Sequence, residues 1–187
     1  MRPLRADARD NRARILSAAE EVFGQSPTAS TDEVAKLADV GIATVFRHFP
    51  TKVELLEAVL TRRLERLRDR AIELAGDDDP GAAFYGFFSQ VVSESASKLA
   101  IAEALGAAKS AVGQDAKQAG LGLREAFGEL LERAQKSGDV RADAAQPEVY
   151  ALLIGASRGA TAVGLEPPVR DRMLALLYDG LRPGRTP

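Results

Sequence analysis

Along the first fifty residues, apolar positions recur at helical spacing in three short blocks separated by turn-forming residues. Ile15, Ala18, Ala19, Val22 and Phe23 stand at i, i+3, i+4, i+7 and i+8, which predicts a helix from about Asp7 to Gly24. Gln25-Ser26-Pro27-Thr28 reads as a connecting loop. Ser30 followed by Glu33 has the form of a capping box, so a second helix should begin near Thr31, with Val34, Leu37 and Ala38 on its apolar side. Asp39-Val40-Gly41 interrupts that pattern, since aspartate bonds its own backbone and glycine tolerates conformations closed to other residues. Ile42, Val45, Phe46 and Phe49 then give a third short helix, stopped at Pro50 because the residue before proline is pushed out of helical space. Its opposite side carries Thr44, Arg47 and His48.

The rest of the chain reads as helix throughout, with no convincing strand alternation. Thr51 is a candidate N-cap for a longer helix whose stripe runs through Leu56, Leu60, Leu64, Leu67, Ala71 and Leu74. Gly76-Asp77-Asp78-Asp79-Pro80-Gly81 ends it and is the best internal boundary; consecutive aspartates before Pro-Gly read as a solvated loop and helix cap rather than a metal site. Ala82 to Ser97 has an aromatic stripe, Ile101 to Ala111 is a short alanine-rich segment, and Gly113 to Gly120 is expected to interrupt the chain. Leu123, Phe127, Leu130, Leu131 and Ala134 mark a helix from Leu121 to Gln135, closed by Lys136-Ser137-Gly138. Pro147 opens a helix in which Arg158 is the only charge between Ala151 and Leu165, and Pro167-Pro168 opens a last one through Met173, Leu174, Leu177 and Leu181.

Two short helices joined by a tight turn are the helix-turn-helix arrangement, whose second member lies in the DNA major groove. The stretch VGIATVFRHFPTK, Val40 to Lys52, resembles the recognition-helix signature of the TetR family of transcriptional regulators, and with the preceding helix the resemblance covers about the first sixty residues. It implies an all-α fold: a three-helix N-terminal helix-turn-helix DNA-binding domain, residues 1–52, followed by a helical-bundle ligand-binding and dimerisation domain, residues 53–187, with 53–75 as the connecting helix.

The formal net charge is -2, but it is unevenly placed: residues 1–70 hold 13 Lys+Arg against 11 Asp+Glu, and residues 71–187 hold 12 against 16. The sign suits DNA at the N-terminal end, although an excess this small would equally suit the solvated faces of any helical protein. Arg2, Arg5, Arg9, Arg12 and Arg14 against Asp7 and Asp10 could form an arm along the phosphates or only a solubilising end. There is no cysteine, which excludes disulfides and thiolate chemistry, and one histidine. No apolar run reaches the roughly 18–20 residues of a membrane span, so no membrane partner is expected and a cytoplasmic location is the default. With no nucleophile elbow, phosphate-cradling loop or paired metal ligands, the sequence calls for binding rather than catalysis, and for no cofactor or metal.

The family resemblance implies the DNA-binding positions. Gly41, Ile42, Ala43 and Thr44 would meet base edges with Arg47 close to the groove, while Phe46, His48, Lys52 and Thr31 match positions that usually bind the backbone. Arg47 is the one long donor there able to grip guanine, and a phosphate contact is its alternative. Three departures stand out. Phe46 replaces a usual tyrosine and cannot donate to phosphate, Asp39 replaces a common turn glycine, and Ile42 and Ala43 offer only methyl contacts.

The implied partners are double-stranded DNA with a palindromic operator, a second copy of the chain, and an unidentified small ligand. Phe84, Phe87, Phe88, Phe127 and Tyr150 are candidate pocket walls, suiting an apolar or aromatic compound, and are otherwise plain core. The nearly uncharged helix after Pro147, with Gly155, Ala156, Gly159 and Ala160, is either buried within the chain or joins the last helix in a four-helix homodimer interface; the family resemblance favours the dimer. The expected function is thus a dimeric, ligand-released repressor. The alternative is a helical interaction protein whose DNA-reading helix has decayed.

Overall fold

The computed structural model describes residues 4–26, 28–107 and 113–184, and every regular element among them is an α-helix. The helices are α1 (Leu4–Gln25), α2 (Thr31–Leu37), α3 (Ile42–His48), α4 (Lys52–Leu74), α5 (Pro80–Ser93), α6 (Ser95–Ala107), α7 (Gln114–Lys136), α8 (Gln146–Ala162) and α9 (Pro167–Leu181). They form two compact units: residues 1–63 with 97–117, and residues 64–96 with 118–187.

In the first unit, α1 packs on α2 and α3. Ile15, Ala19, Phe23, Val34 and Val45 are wholly buried, and each comes from the apolar stripe its spacing predicts. Arg63 reaches back from α4 to donate from Nη2 to the Glu20 carbonyl at 2.9 Å, which ties α4 to α1. The predicted caps are in place. Ser30 Oγ accepts from the Glu33 amide at 3.3 Å while Glu33 Oε1 accepts from the Ser30 amide at 2.9 Å. Thr51 Oγ1 likewise accepts from the Glu54 amide at 3.1 Å and starts α4.

In the second unit α5 lies on α8 and α9. Its core is one cluster in which Phe84, Phe87, Phe88 and Phe127 are fully buried beside Leu130, Leu131, Val149 and Leu174. Asp79 caps α5 by accepting from the Ala82 amide at 2.8 Å, and Arg133 Nη2 donates to the Asp77 carbonyl at 3.0 Å, so the acidic turn is a helix cap held to α7. Tyr178 joins α9 to α5: its hydroxyl donates to the Tyr85 carbonyl at 3.1 Å and meets Ser89 Oγ at 2.7 Å.

One expectation about the helices fails. The interruption predicted between Gly113 and Gly120 is absent from Gln114 onward, because α7 runs unbroken through Gly120, Gly122 and Gly128. Each interior glycine costs about 1 kcal/mol of helix propensity. Against that, Ala116, Ala119, Leu123, Ala126, Phe127, Leu130, Leu131 and Ala134 are all buried on one continuous stripe, and each large side chain among them contributes about 2 kcal/mol. Gly122 also has a steric reason, since a β-carbon there would lie 3.1 Å from Arg68 Cδ. Two of the shorter boundaries differ as well: α5 ends at Ser93 and α6 begins at Ser95, and Ala111 lies outside the described residues.

Candidate nucleic-acid interface

Among the described residues, three helix ends share one hydrogen-bond pattern. After α7 the Gly138 amide donates to Gln135 O and the Asp139 amide to Ala134 O; after α8 the Gly164 amide donates to Thr161 O and the Leu165 amide to Ala160 O. Both are Schellman turns, with a glycine at φ 85° or 61° in the left-handed position. After α2 the Asp39 amide donates to Lys36 O and the Val40 amide to Ala35 O, which is the same turn. Here the left-handed residue is Asp39, at φ 51°, not a glycine. A side chain in that conformation costs about 1 kcal/mol. The glycine that the sequence offered for this turn, Gly41, sits instead at φ -67° as the N-cap of α3.

Arg14 braces this strained turn. Its Nη2 donates to the carbonyls of Ala38 (2.8 Å) and Asp39 (2.7 Å), and its Nε donates to Ala38 O at 3.2 Å. Both carbonyls lie at the C-terminal end of α2, where unsatisfied acceptors and the negative end of the helix dipole favour a cation. Of the basic residues that could have formed a phosphate-binding arm, Arg14 thus serves the fold of the motif. Arg12 lies over the Phe49 ring at 5.1 Å. Arg2 and the side chains of Arg5 and Asp7 lie outside the described residues.

With the turn set, α3 divides into two sides. Val45 is buried, as is Phe49 just beyond the helix, whereas Gly41, Ala43, Phe46 and Arg47 are exposed and Ile42, Thr44 and His48 are half-exposed. The Arg47 guanidinium donates only within its own helix, to Thr44 Oγ1 at 3.2 Å, and no carboxylate among the described residues pairs with it. Phe46 keeps 44% of its surface in contact with solvent, a large apolar ring beside Thr44, Arg47 and His48. Lys52 stands apart from this group in its bonding. Its ammonium donates to the Ala29 carbonyl at 2.6 Å and lies 5.4 Å from the centre of the Phe23 ring, so it closes the loop between α1 and α2. Thr31, first residue of α2, is half-exposed directly after the Ser30 cap.

In the second unit the five aromatic candidates form one cluster. Phe127 is the hub, with ring centres 5.7 Å from Phe84, 6.4 Å from Phe87, 6.5 Å from Phe88 and 5.7 Å from Tyr150. Tyr150 is half-buried at the edge, with the Arg124 guanidinium 5.5 Å over its ring, and burial pushes its hydroxyl pKa up. Sequence reasoning missed Tyr178, which extends the cluster at right angles to Phe88, 5.6 Å away. Its position in an ordinary i, i+4 stripe gave no signal. Among the described residues no group of three or more histidines, cysteines or carboxylates is placed to hold a metal ion. No described helix is long and apolar enough to cross a membrane.

A tight-turned helix pair presenting a polar face on a three-helix support is the helix-turn-helix architecture, and known proteins agree. The pattern of the family described as bacterial regulatory proteins, tetR family, matches residues 15–59, and that of the SbtR-like transcriptional regulator C-terminal domain matches residues 79–183. The chain belongs to the TetR family of transcriptional regulators. A TetR transcription regulatory protein from Mycobacterium vanbaalenii is similar over 96% of this chain and 99% of its own, at 35% identity and a TM-score of 0.78. A TetR transcriptional regulator from Streptomyces coelicolor is 29% identical over 92% of this chain and 98% of its own, with a TM-score of 0.75. Among curated relatives, the repressor LfrR of Mycolicibacterium smegmatis is 42% identical over 64 residues, 34% of this chain and 33% of LfrR. The aligned part spans between a third and a half of the curated relatives first matched.

Proposed function

We propose that the protein is a dimeric repressor that reads a palindromic operator through α3 and releases it when a small ligand binds the second unit. The observation that carries the DNA reading is the exposed face of α3, on which Arg47 and His48 stand free of carboxylates and Gly41, Ile42, Ala43 and Thr44 crowd the leading end. In this reading Arg47 contacts guanine or, failing that, a phosphate, and Thr31, Phe46, His48 and Lys52 take the duplex backbone, as the family resemblance implies. With methyl groups at Ile42 and Ala43, discrimination rests on Arg47 and on the shape of the site more than on many base hydrogen bonds.

Dimerisation is supported by the outer faces of α8 and α9. Leu152, Gly155, Gly159 and Val163 form one exposed stripe, and Val169, Arg172, Leu176 and Gly180 another. A β-carbon on Gly155, Gly159 or Gly180 would meet nothing within 4 Å, so packing inside the chain gives no reason for a glycine at any of the three. Each weakens its helix by about 1 kcal/mol, which close approach of a second copy would offset. Ala160, by contrast, is buried inside the chain and belongs to its own core.

For ligand release, the entry point is Tyr150 at the edge of the phenylalanine cluster, and an apolar or aromatic compound displaces Phe127 from Phe84, Phe87 and Phe88. The ligand must favour the released conformation by a coupling of about 1–3 kcal/mol to act as an inducer. The protein would then work in the cytoplasm without catalysis.

The experiment is a binding titration with duplex DNA flanking the protein's own gene and with duplexes selected from a random pool, at two salt concentrations, beside Arg47→Ala. Two protomers per site, steep weakening with salt and a loss of about 1–3 kcal/mol on Arg47→Ala are expected. Failure to select any duplex over a scrambled one refutes the reading.

A further inference from the structure

Two of the three Schellman turns place glycine in the left-handed position, and at the one after α7 the Tyr85 hydroxyl of α5 meets a single carbonyl, that of Asp139, at 3.1 Å. The third, between α2 and α3, places Asp39 there and is gripped by Arg14 from α1, 24 residues away from Ala38. We propose that Arg14 is a positioning residue for DNA reading: its fork across the carbonyls of Ala38 and Asp39 holds the strained turn that fixes the direction in which α3 leaves α2. The inference rests on the DNA-reading role of α3 given above.

The geometry favours positioning over phosphate contact. Nη2 donates both of its hydrogens to turn carbonyls and Nε donates its own to Ala38 O. The planar fork is what allows one side chain to span two acceptors in fixed register, and a lysine ammonium, a point donor on a flexible stem, cannot reproduce it. Asp39 makes the brace necessary, because the left-handed conformation that a glycine adopts without cost has to be enforced on an aspartate. Gly41, the next residue but one, is the N-cap of α3 and makes no side-chain bond of its own to fix that helix's start. The turn therefore has one lateral tether among the described residues, and it comes from α1.

The test uses the full chain with a duplex selected by the wild type from a random pool and a scrambled duplex of equal length. Arg14→Lys keeps the charge and removes the fork. It should lower affinity for the selected duplex about tenfold, the equivalent of one charged hydrogen bond, while affinity for the scrambled duplex and the salt slope stay as in the wild type. Amide exchange at Val40 should quicken by a similar factor. Adding Asp39→Gly should restore both, because glycine holds the turn unaided. General loss of stability in a chain that remains folded would not alter discrimination between duplexes. Should Arg14→Lys not fold, the double variant is compared with Asp39→Gly alone: binding within about twofold supports positioning, and a tenfold loss overturns it. The proposal is also overturned if Arg14→Lys binds both duplexes as the wild type does. It fails equally if Arg14→Gln weakens both duplexes alike and lowers the salt slope by about one, the signature of a phosphate contact. A wild type that prefers neither duplex refutes the DNA reading itself.

Discussion

Lys52 and Ala29 are joined by a 2.6 Å bond from ammonium to carbonyl, made under the cover of the Phe23 ring. The bond ties the loop that precedes α2, as Arg14 ties the turn that follows it. Lys52→Met preserves the apolar stem but removes the donor and the cation over the ring. About 1 kcal/mol of stability should be lost, allowing for the half-exposure of the site. Urea unfolding followed by circular dichroism would read this, and an unchanged midpoint would show the bond to be neutral.

The two kinds of Schellman turn predict opposite responses to substitution. Gly138→Ala puts a β-carbon on a residue at φ 85°, and stability should fall by about 1 kcal/mol. Asp39→Gly removes one from a residue at φ 51° and should leave stability unchanged or raise it, since relief of strain offsets the greater freedom of the unfolded chain. Thermal melts of the two variants side by side decide it, and a larger loss at Asp39 than at Gly138 would contradict the account.

Glu33 makes the first unit acid-sensitive. Its carboxylate accepts from the Ser30 amide and hydroxyl, and these bonds hold its pKa below the ordinary 4.5. The folded state therefore binds this proton less readily than the unfolded chain. The stabilisation is full above the ordinary carboxylate range and is lost as pH falls through the folded value. Glu33→Gln should lower stability at neutral pH, where the carboxylate's contribution is full, and flatten the pH dependence in that acid window so that the two proteins converge there, as equilibrium unfolding across pH would reveal.

At the alkaline end Tyr178 takes over. Burial, partly countered by Ser89, pushes its pKa up to about 12. A proton held more tightly in the folded state stabilises it below the ordinary tyrosine pKa of 10, and that contribution fades as pH rises from about 10 to 12. Ultraviolet titration should show all three tyrosines shifted late, with the last of them absent in Tyr178→Phe, and the substitution should cost about 1 kcal/mol at neutral pH by removing the bond to the Tyr85 carbonyl.

Leu176 is 70% exposed on α9 and Val163 is 71% exposed at the end of α8. If those faces join two copies, Leu176→Glu should shift the protein from dimer to monomer in sedimentation experiments without loss of helicity. Binding to the operator should drop at least a hundredfold, because each half-site is then bound alone. A Leu176→Glu protein that sediments as the wild type does would remove this face from the interface.

What the sequence disclosed depends on how far apart the interacting groups lie. The Ser30–Glu33 box, the Thr51 and Asp79 caps and the stop at Gly138 could be read from neighbours within four residues, and each is found. The buried side of the short helices was legible in part: Val34, Ala38, Val45 and Phe49 are buried as their spacing predicts, whereas Leu37 and Phe46, assigned to the same stripes, are 49% and 44% exposed, because a two-turn helix covers too narrow an arc to bury a whole stripe. The Arg14 brace was not legible, since its acceptors are backbone atoms more than twenty residues away and any residue type could have supplied them. The same holds for Lys52 and Ala29. Composition misled at Gly113 to Gly120, where local glycine content pointed to a break and the buried stripe of α7 outweighed it. The phenylalanines of α5 were legible as an apolar face, but their grouping around Phe127 depends on how α5 meets α7.

Arg14 and Lys52 share one property with an electrostatic consequence: both are bound by carbonyls, not carboxylates. A cation matched with an acid forms a pair with little field beyond it, whereas a cation resting on neutral dipoles keeps its whole unit of charge. The bonds themselves therefore neutralise neither charge, although the Glu33 carboxylate lies within the field of Lys52. In a chain whose formal charge is -2, that economy leaves the head a local attraction for a polyanion felt out to about 8–10 Å, the Debye length at physiological salt, before any groove contact forms.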